Sequence, residues 1–195
     1  QYFKFTPQSE EYRDRPLADL ADELGHLLIK SVKRRMISDV PLGAFISGGV
    51  DSSTVVAIMA KELGAEVKSF SIGFQGTADS EHHNARQMAE YLGCAHHEQV
   101  LDPDILSLAT MIGEILDEPN GDSSCLPTYL ISDFARRYVT VALSGDGADE
   151  MFGGYGRYFN VLETDIRQRA GDKNVPAHWK PGDSYLNGGV AVYSE

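Results

Sequence analysis

Cysteine is scarce: Cys94 and Cys125 are the only two among 195 residues, and they form no CxxC pair. That scarcity excludes a disulfide scaffold and suits a reduced, cytoplasmic setting. No apolar run approaches the roughly 20 residues that a bilayer span needs, and no signal peptide opens the chain. Positive charge is short too, with 17 Lys and Arg against 29 Asp and Glu and a formal net charge of −12. General binding to nucleic acid or to an anionic membrane needs the opposite sign. Two phosphate-binding signatures are also missing. There is no GxxxxGK[ST] loop, and no GxGxxG follows the first strand, which argues against a Walker-type NTPase and a dinucleotide cofactor. Internal repeats and low-complexity segments are absent as well.

What is present predicts one α/β domain. Apolar residues make up 42% of the chain, enough for a real core. Residues 1–16 read as a short strand and polar linker leaving an upstream domain, and Gln1 is no initiator methionine. Apolar residues at 17, 20, 21, 24, 27, 28, 32 and 36 predict a helix from 17 to about 37. Its basic end, Lys30 to Arg35, suits the helix dipole. Strands are expected at 44–46, 67–74, 96–100 and 138–143. Helices are expected at about 52–63, 80–92, 103–116 and 127–138, with another from about 148. This alternation predicts a doubly wound parallel sheet with flanking helices, right-handed crossovers and ligands at the carboxyl ends of the strands. The main domain is placed at 17–160, and the Gly- and Pro-bearing stretch 161–195 is expected to be an irregular tail, the truncated C-terminal part of the same domain.

Two glycine-bearing turns follow predicted strands. In Ser47-Gly48-Gly49-Val50-Asp51-Ser52-Ser53, the glycines let the backbone approach a ligand closely. Turn amides and the positive end of the following helix make a cradle for phosphate oxygens, and three hydroxyls add donors. A plain strand-to-helix turn capped by Ser or Asp would explain an isolated SGG, but not the whole string in this context. In Ser144-Gly145-Asp146-Gly147-Ala148-Asp149-Glu150, three acids crowd into five residues. Alone they could serve as an acid-rich helix start. Beside a phosphate cradle they suit Mg²⁺, which takes one or two carboxylates plus phosphate oxygens. Asp51 and Asp149 are the expected pair.

SGGVDSS resembles the PP-loop of N-type ATP pyrophosphatases, and LSGDGADEMFGGY at 143–155 resembles the second signature of glutamine-dependent asparagine synthetases. The resemblance covers about residues 1–160. It implies an adenine nucleotide alpha hydrolase-like (PP-loop ATPase) fold, with ATP bound by Ser47, Gly48, Gly49, Val50, Asp51, Ser52 and Ser53. It further implies that the backbone at Ile72 meets the adenine, that Leu143, Ser144 and Gly145 line the nucleotide pocket, and that Asp51 and Asp149 coordinate Mg²⁺. By the same resemblance Asp146 contacts the acceptor or the attacking amine and moves protons. Leu42 and Phe45 are expected to pack, and residues 117–127 to lie near the acceptor pocket. The implied chemistry is activation of a carboxylate, aspartate first, as an acyl-adenylate with release of pyrophosphate, followed by amidation to asparagine. Alternatives are a ligase with another acceptor, such as a β-lactam synthetase or peptide-tailoring enzyme, and a non-catalytic nucleotide-binding fragment.

Two departures qualify the resemblance. Family members start with a glutaminase domain carrying an N-terminal cysteine nucleophile, and this chain has none, so ammonia must come from elsewhere. They also carry a later pyrophosphate-binding lysine, a role that neither Lys173 nor Lys180 matches by motif. The chain is therefore expected to be a fragment with weak turnover, and a homodimer is allowed. His82-His83 and His96-His97-Glu98 have no zinc spacing and are read as structural.

Overall fold

A computed structural model describes residues 12, 14–76, 81–118 and 121–175. The first eleven residues and 176–195, which hold the expected opening strand and most of the expected tail, lie outside the described residues.

Four strands form one fully parallel sheet in the order β3-β2-β1-β4. They are β1 (Leu42–Phe45), β2 (Lys68–Phe74), β3 (Ala95–Leu101) and β4 (Val141–Leu143). The helices are α1 (Leu17–Arg35), α2 (Val50–Ala57), α3 (His82–Leu92), α4 (Ile105–Ile115), α5 (Cys125–Arg136), α6 (Ala148–Phe152) and α7 (Gly156–Arg169). Among the described residues, no helix is long and apolar enough to cross a membrane.

Side-chain alternation along the strands builds a core on each face of the sheet. On one face, Ala44 and Ile46 meet Val32 of α1, Val56 of α2, and Ala85, Ala89 and Leu92 of α3. On the other, Phe70 is fully buried against Phe134 and Ala135 of α5. The Phe70 and Phe134 rings meet edge-to-face at 6.1 Å and 88°, a favoured aromatic geometry. Helices therefore cover both faces, and the doubly wound reading holds.

Several boundaries differ from expectation, each for a local reason. β1 ends at Phe45, although Ile46 N–H still donates to the Phe70 carbonyl at 3.0 Å. β4 is three residues rather than six, because it pairs only with Leu42–Ala44 of the short β1. α2 continues as one wide π turn at Ile58–Glu62, which accompanies inward packing of both Ile58 and Met59. The expected irregular tail from 161 is corrected: α7 runs on to Arg169. Its apolar residues Phe159, Leu162 and Ile166 do fall at helical spacing, but they stay exposed, so no buried face strengthens the pattern.

β1 leads to β2 on one side, whereas β4 lies on the other. The reversal of strand order thus falls between β1 and β4, where open α/β sheets form their ligand crevice. Both glycine-bearing turns leave the sheet there.

Candidate functional site

The turn after β1 is built around two glycines and a pair of hydroxyls. Gly48 has φ +84°, and a Cβ there would sit 2.6 Å from Asn84 Cβ, so the turn is pressed against the start of α3. Only glycine combines that backbone with that approach. Gly49 begins α2, with no side chain capping the helix start, so first-turn amides keep donor capacity toward a ligand. Ser47 Oγ and Ser52 Oγ are 2.9 Å apart, and the Ser47 and Gly49 amides donate to Ser52 Oγ and Ser47 Oγ at 3.1 and 3.2 Å. These bonds hold the turn in place before any ligand arrives.

The turn after β4 is fixed by Ser144, whose hydroxyl donates to Asp146 Oδ2 at 2.8 Å. Gly145 lies so close to α2 that an added Cβ would be 2.7 Å from the Ser52 nitrogen. The turn then enters α6, with Asp149 and Glu150 in its first turn.

Between the turns opens a cavity of about 1030 Å³, at the upper end of small-ligand sites. It brings together Ser47, Asp51, Ser52, Ile72, Ser144, Gly145, Asp146 and Asp149. Gly48, Gly49, Val50, Ser53 and Leu143 are not in its lining. Val50 points outward and is 81% exposed, while Ser53 is buried with no hydrogen-bond partner for its Oγ. Leu143 packs against the core on the α3 side of the sheet. Of the expected acceptor loop at 117–127, Pro127 reaches this cavity, joined by the next residue, Thr128. Asp117, Glu118 and Asp122 instead line a second cavity of about 520 Å³ beside α4 and α5.

Other lining residues take no site role from the sequence. Phe45, expected only to pack, both lines the cavity and packs beside Phe70. Glu81 and His82 reach it from the start of α3. Glu150 and Tyr155 form a pair, the Tyr155 hydroxyl donating to Glu150 Oε1 at 2.7 Å. That bond holds the Glu150 carboxyl below its ordinary range and, with burial and nearby carboxylates, pushes the Tyr155 phenol up to about 12. The Arg157 guanidinium lies 4.3 Å over the Tyr155 ring. Both residues lie within the 143–155 signature, and their spacing around the Gly153-Gly154 turn hinted at the pair, since such a turn folds a chain back on itself.

The electrostatics are one-sided. Asp51, Glu81, Asp146, Asp149 and Glu150 all line the cavity, with no Lys or Arg among the described lining residues. Elsewhere, His96 and His97 have structural partners. His96 bonds Ser69 and Ser71, and His97 stacks against both Phe70 and Tyr138. Among the described residues, no three His, Cys, Asp or Glu side chains converge as a ready-made metal site.

The asparagine synthase family profile matches residues 23–184. A Methanocaldococcus jannaschii protein, provisionally named asparagine synthetase [glutamine-hydrolyzing] 2, is 41% identical over 92% of this chain and 36% of its own length. Asparagine synthetase [glutamine-hydrolyzing] 1 of Bacillus subtilis is 40% identical over 83% of this chain and 25% of its own. The chain thus spans about a quarter to a third of the length of these relatives. Among solved structures, NMN synthetase from Francisella tularensis superposes with a TM-score of 0.46 at 15% identity, covering 74% of this chain and 61% of that one. With the family profile matched across most of its length, from the α1 helix through both glycine-bearing turns, the chain belongs to the asparagine synthase family.

Proposed function

We propose that this chain is the nucleotide-binding part of an ATP-dependent amide-forming ligase, its domain being the unit placed at 17–160. The observation that carries the reading is the seating of Gly145 on the start of α2, which joins the hydroxyl-bearing turn and the acid-bearing turn on one cavity rim. Family membership supports it independently.

ATP would lay its phosphates over Ser47, Ser52 and the first amides of α2, with its base toward Ile72 and Phe45. Five lining carboxylates would repel a polyphosphate, so the site needs a cation. The residues fit Mg²⁺: carboxylate oxygens are hard donors, and two of them plus phosphate oxygens suffice without an all-protein cage. Asp51 and Asp149 would hold it, and when bound it neutralises charge on the phosphates.

The chain's own groups then position the reactants. The acceptor carboxylate attacks the α-phosphorus, the α–β bridging bond breaks, and pyrophosphate leaves. Ammonia attacks the acyl carbon of the adenylate and expels AMP, and Asp146 accepts a proton released from nitrogen. Held by Ser144, the Asp146 carboxylate is oriented before substrate binds. Aspartate is the proposed acceptor, and a glutaminase domain the proposed ammonia source.

Calorimetric titration of the full chain with ATP, with and without Mg²⁺, tests the reading. Mg²⁺-dependent binding is expected, followed by pyrophosphate release that aspartate stimulates above other carboxylic acids. A chain that binds no MgATP would sink the proposal. Binding without pyrophosphate release for any acid would reduce it to a nucleotide-binding module.

A further inference from the structure

On the α3 face of the sheet, polar side chains on β2 and β3 form a partly buried network. The strands pair with Ser69 opposite His96 and Ser71 opposite Glu98, so all four share one face. The His96 ring spans both hydroxyls, with Nδ1 2.9 Å from Ser69 Oγ and Nε2 3.2 Å from Ser71 Oγ. Ser69 is fully buried, and Ser71 is 3% exposed and lines the large cavity.

Burial holds His96 below its ordinary value, so the ring is neutral at neutral pH. A neutral imidazole has one donor and one acceptor, so the two serines must play opposite parts. Glu98 breaks the symmetry. Its Oε2 lies 3.9 Å from His96 Nε2, and the carboxylate is anchored by Arg86, whose Nε donates to Oε2 at 2.8 Å and whose Nη2 donates to Oε1. A carboxylate on that side stabilises a proton on Nε2. Ser69 must then donate to Nδ1, and Ser71 must accept from Nε2–H.

We propose that His96 is a positioning residue, held as the Nε2–H tautomer, which leaves the Ser71 hydroxyl proton free to donate to the nucleoside half of a bound nucleotide. Among the described residues, His96 is the one hydrogen-bond partner of the Ser71 hydroxyl. A buried O–H without an acceptor is costly, and the open side of Ser71 is the cavity. The nucleoside is favoured over the phosphates because Ser71 immediately precedes Ile72, toward which the base is placed, and both line the cavity although their side chains leave opposite faces of β2, whereas the hydroxyl pair and open helix start lie at the turn after β1. The opposite tautomer would turn Ser71 toward His96 as a donor and leave the cavity only lone pairs, so the ring state decides what Ser71 offers a ligand. The inference rests on the nucleotide reading only for the identity of the acceptor.

A long-range proton–nitrogen NMR spectrum of the ligand-free chain reads the tautomer directly and needs no variant. Nε2–H at His96 is expected, and Nδ1–H would overturn the proposal. In calorimetry, Ser71→Ala is expected to weaken both MgATP and adenosine by roughly three- to tenfold, the usual range for one neutral hydrogen bond, while tripolyphosphate binding stays unchanged. Loss confined to tripolyphosphate, or no loss at all, would refute the donor role. His96→Gln places an amide N–H where Nε2–H stood and should retain wild-type affinity, whereas His96→Leu, which leaves the Ser71 hydroxyl present but unoriented, should weaken MgATP and adenosine alike, by less than Ser71→Ala does. Equal loss in Gln and Leu variants would make His96 merely structural. If the wild-type chain binds no nucleotide, the proposed function fails, and the tautomer spectrum still decides this inference.

Discussion

A Cβ on Gly145 would stand 2.7 Å from the backbone nitrogen of Ser52. The same atom would lie 2.9 Å from the Asp51 carbonyl carbon. Real Cβ atoms do not approach backbone that closely, and backbone cannot rotate away as a side chain can. The turn after β4 therefore sits directly on the first turn of α2. This contact puts the carboxylates of Asp146 and Asp149 around the same cavity as Asp51 and the Ser47–Ser52 hydroxyl pair.

Gly145→Ala should force that contact open and weaken MgATP binding by at least about tenfold, while costing roughly 1–3 kcal/mol of stability as overpacking does. Gly25→Ala is the matched control. Nothing lies within 4 Å of a Cβ at Gly25 in α1, and alanine in a helix interior gains roughly 0.5–1 kcal/mol over glycine. Calorimetry and chemical denaturation on both variants check this pair. Unchanged nucleotide affinity in Gly145→Ala would mean the two turns do not act as one site.

Asp51→Asn and Asp149→Asn separate metal binding from simple charge. If the carboxylates act by holding Mg²⁺, each variant should bind ATP at least about tenfold more weakly in saturating Mg²⁺. Without Mg²⁺ the same variants should bind ATP as well as the wild type or better, because one repelling charge is gone. Glu81→Gln, at the far α3 side of the lining, should show only the second effect. A uniform gain in all three variants, with and without Mg²⁺, would remove Asp51 and Asp149 as metal ligands.

The parallel sheet with its flanking helices and both turns were legible because the signals are local, whereas the strand order came only from the structure. A strand followed by glycines and then by a helix start leaves little freedom, and the alternation of apolar residues at 67–74 marks a strand. What was not legible depended on distant partners. Phe45 faces both core and cavity only because β1 borders β2 and β4. Ser53 belongs to the same string as Ser52, yet one residue around the helix turns it into the core. The Glu150–Tyr155 bond needs the Gly153 turn to fold α7 back, and the pairing of His96 with Ser69 and Ser71 needs the β2–β3 register. None of these follows from a pattern within a single segment.

The Glu150–Tyr155 bond should be visible in high-pH titration. The hydrogen bond favours protonated Tyr155, so the folded-state value, about 12, lies above the ordinary 10.0. A raised acid contributes stability that is complete below 10.0 and is lost as pH climbs through the interval up to about 12. Ultraviolet titration of tyrosinate should therefore show one late phenol that disappears in Tyr155→Phe and shifts down in Glu150→Gln. A late phenol that survives in Tyr155→Phe would assign it elsewhere and discard the bond.

The Arg86–Glu98–His96 group predicts two separate losses of stability on the acid side. Burial depresses His96, so the unfolded chain binds this proton more tightly than the folded one. Its contribution is complete above the ordinary 6.5 and is lost as pH falls below it. Glu98 is depressed chiefly by its hydrogen bond from Arg86, so its contribution is complete above the ordinary 4.5 and is lost only at lower pH. Chemical denaturation across pH should resolve the two windows by difference. His96→Gln should flatten the upper window while leaving the lower one, and Arg86→Gln should reduce the lower one. The second variant also removes a positive neighbour of His96, which raises the His96 value and narrows the upper window. A His96→Gln profile superimposable on the wild type would show that the imidazole titrates alike folded and unfolded, which the buried position between two serine hydroxyls does not permit.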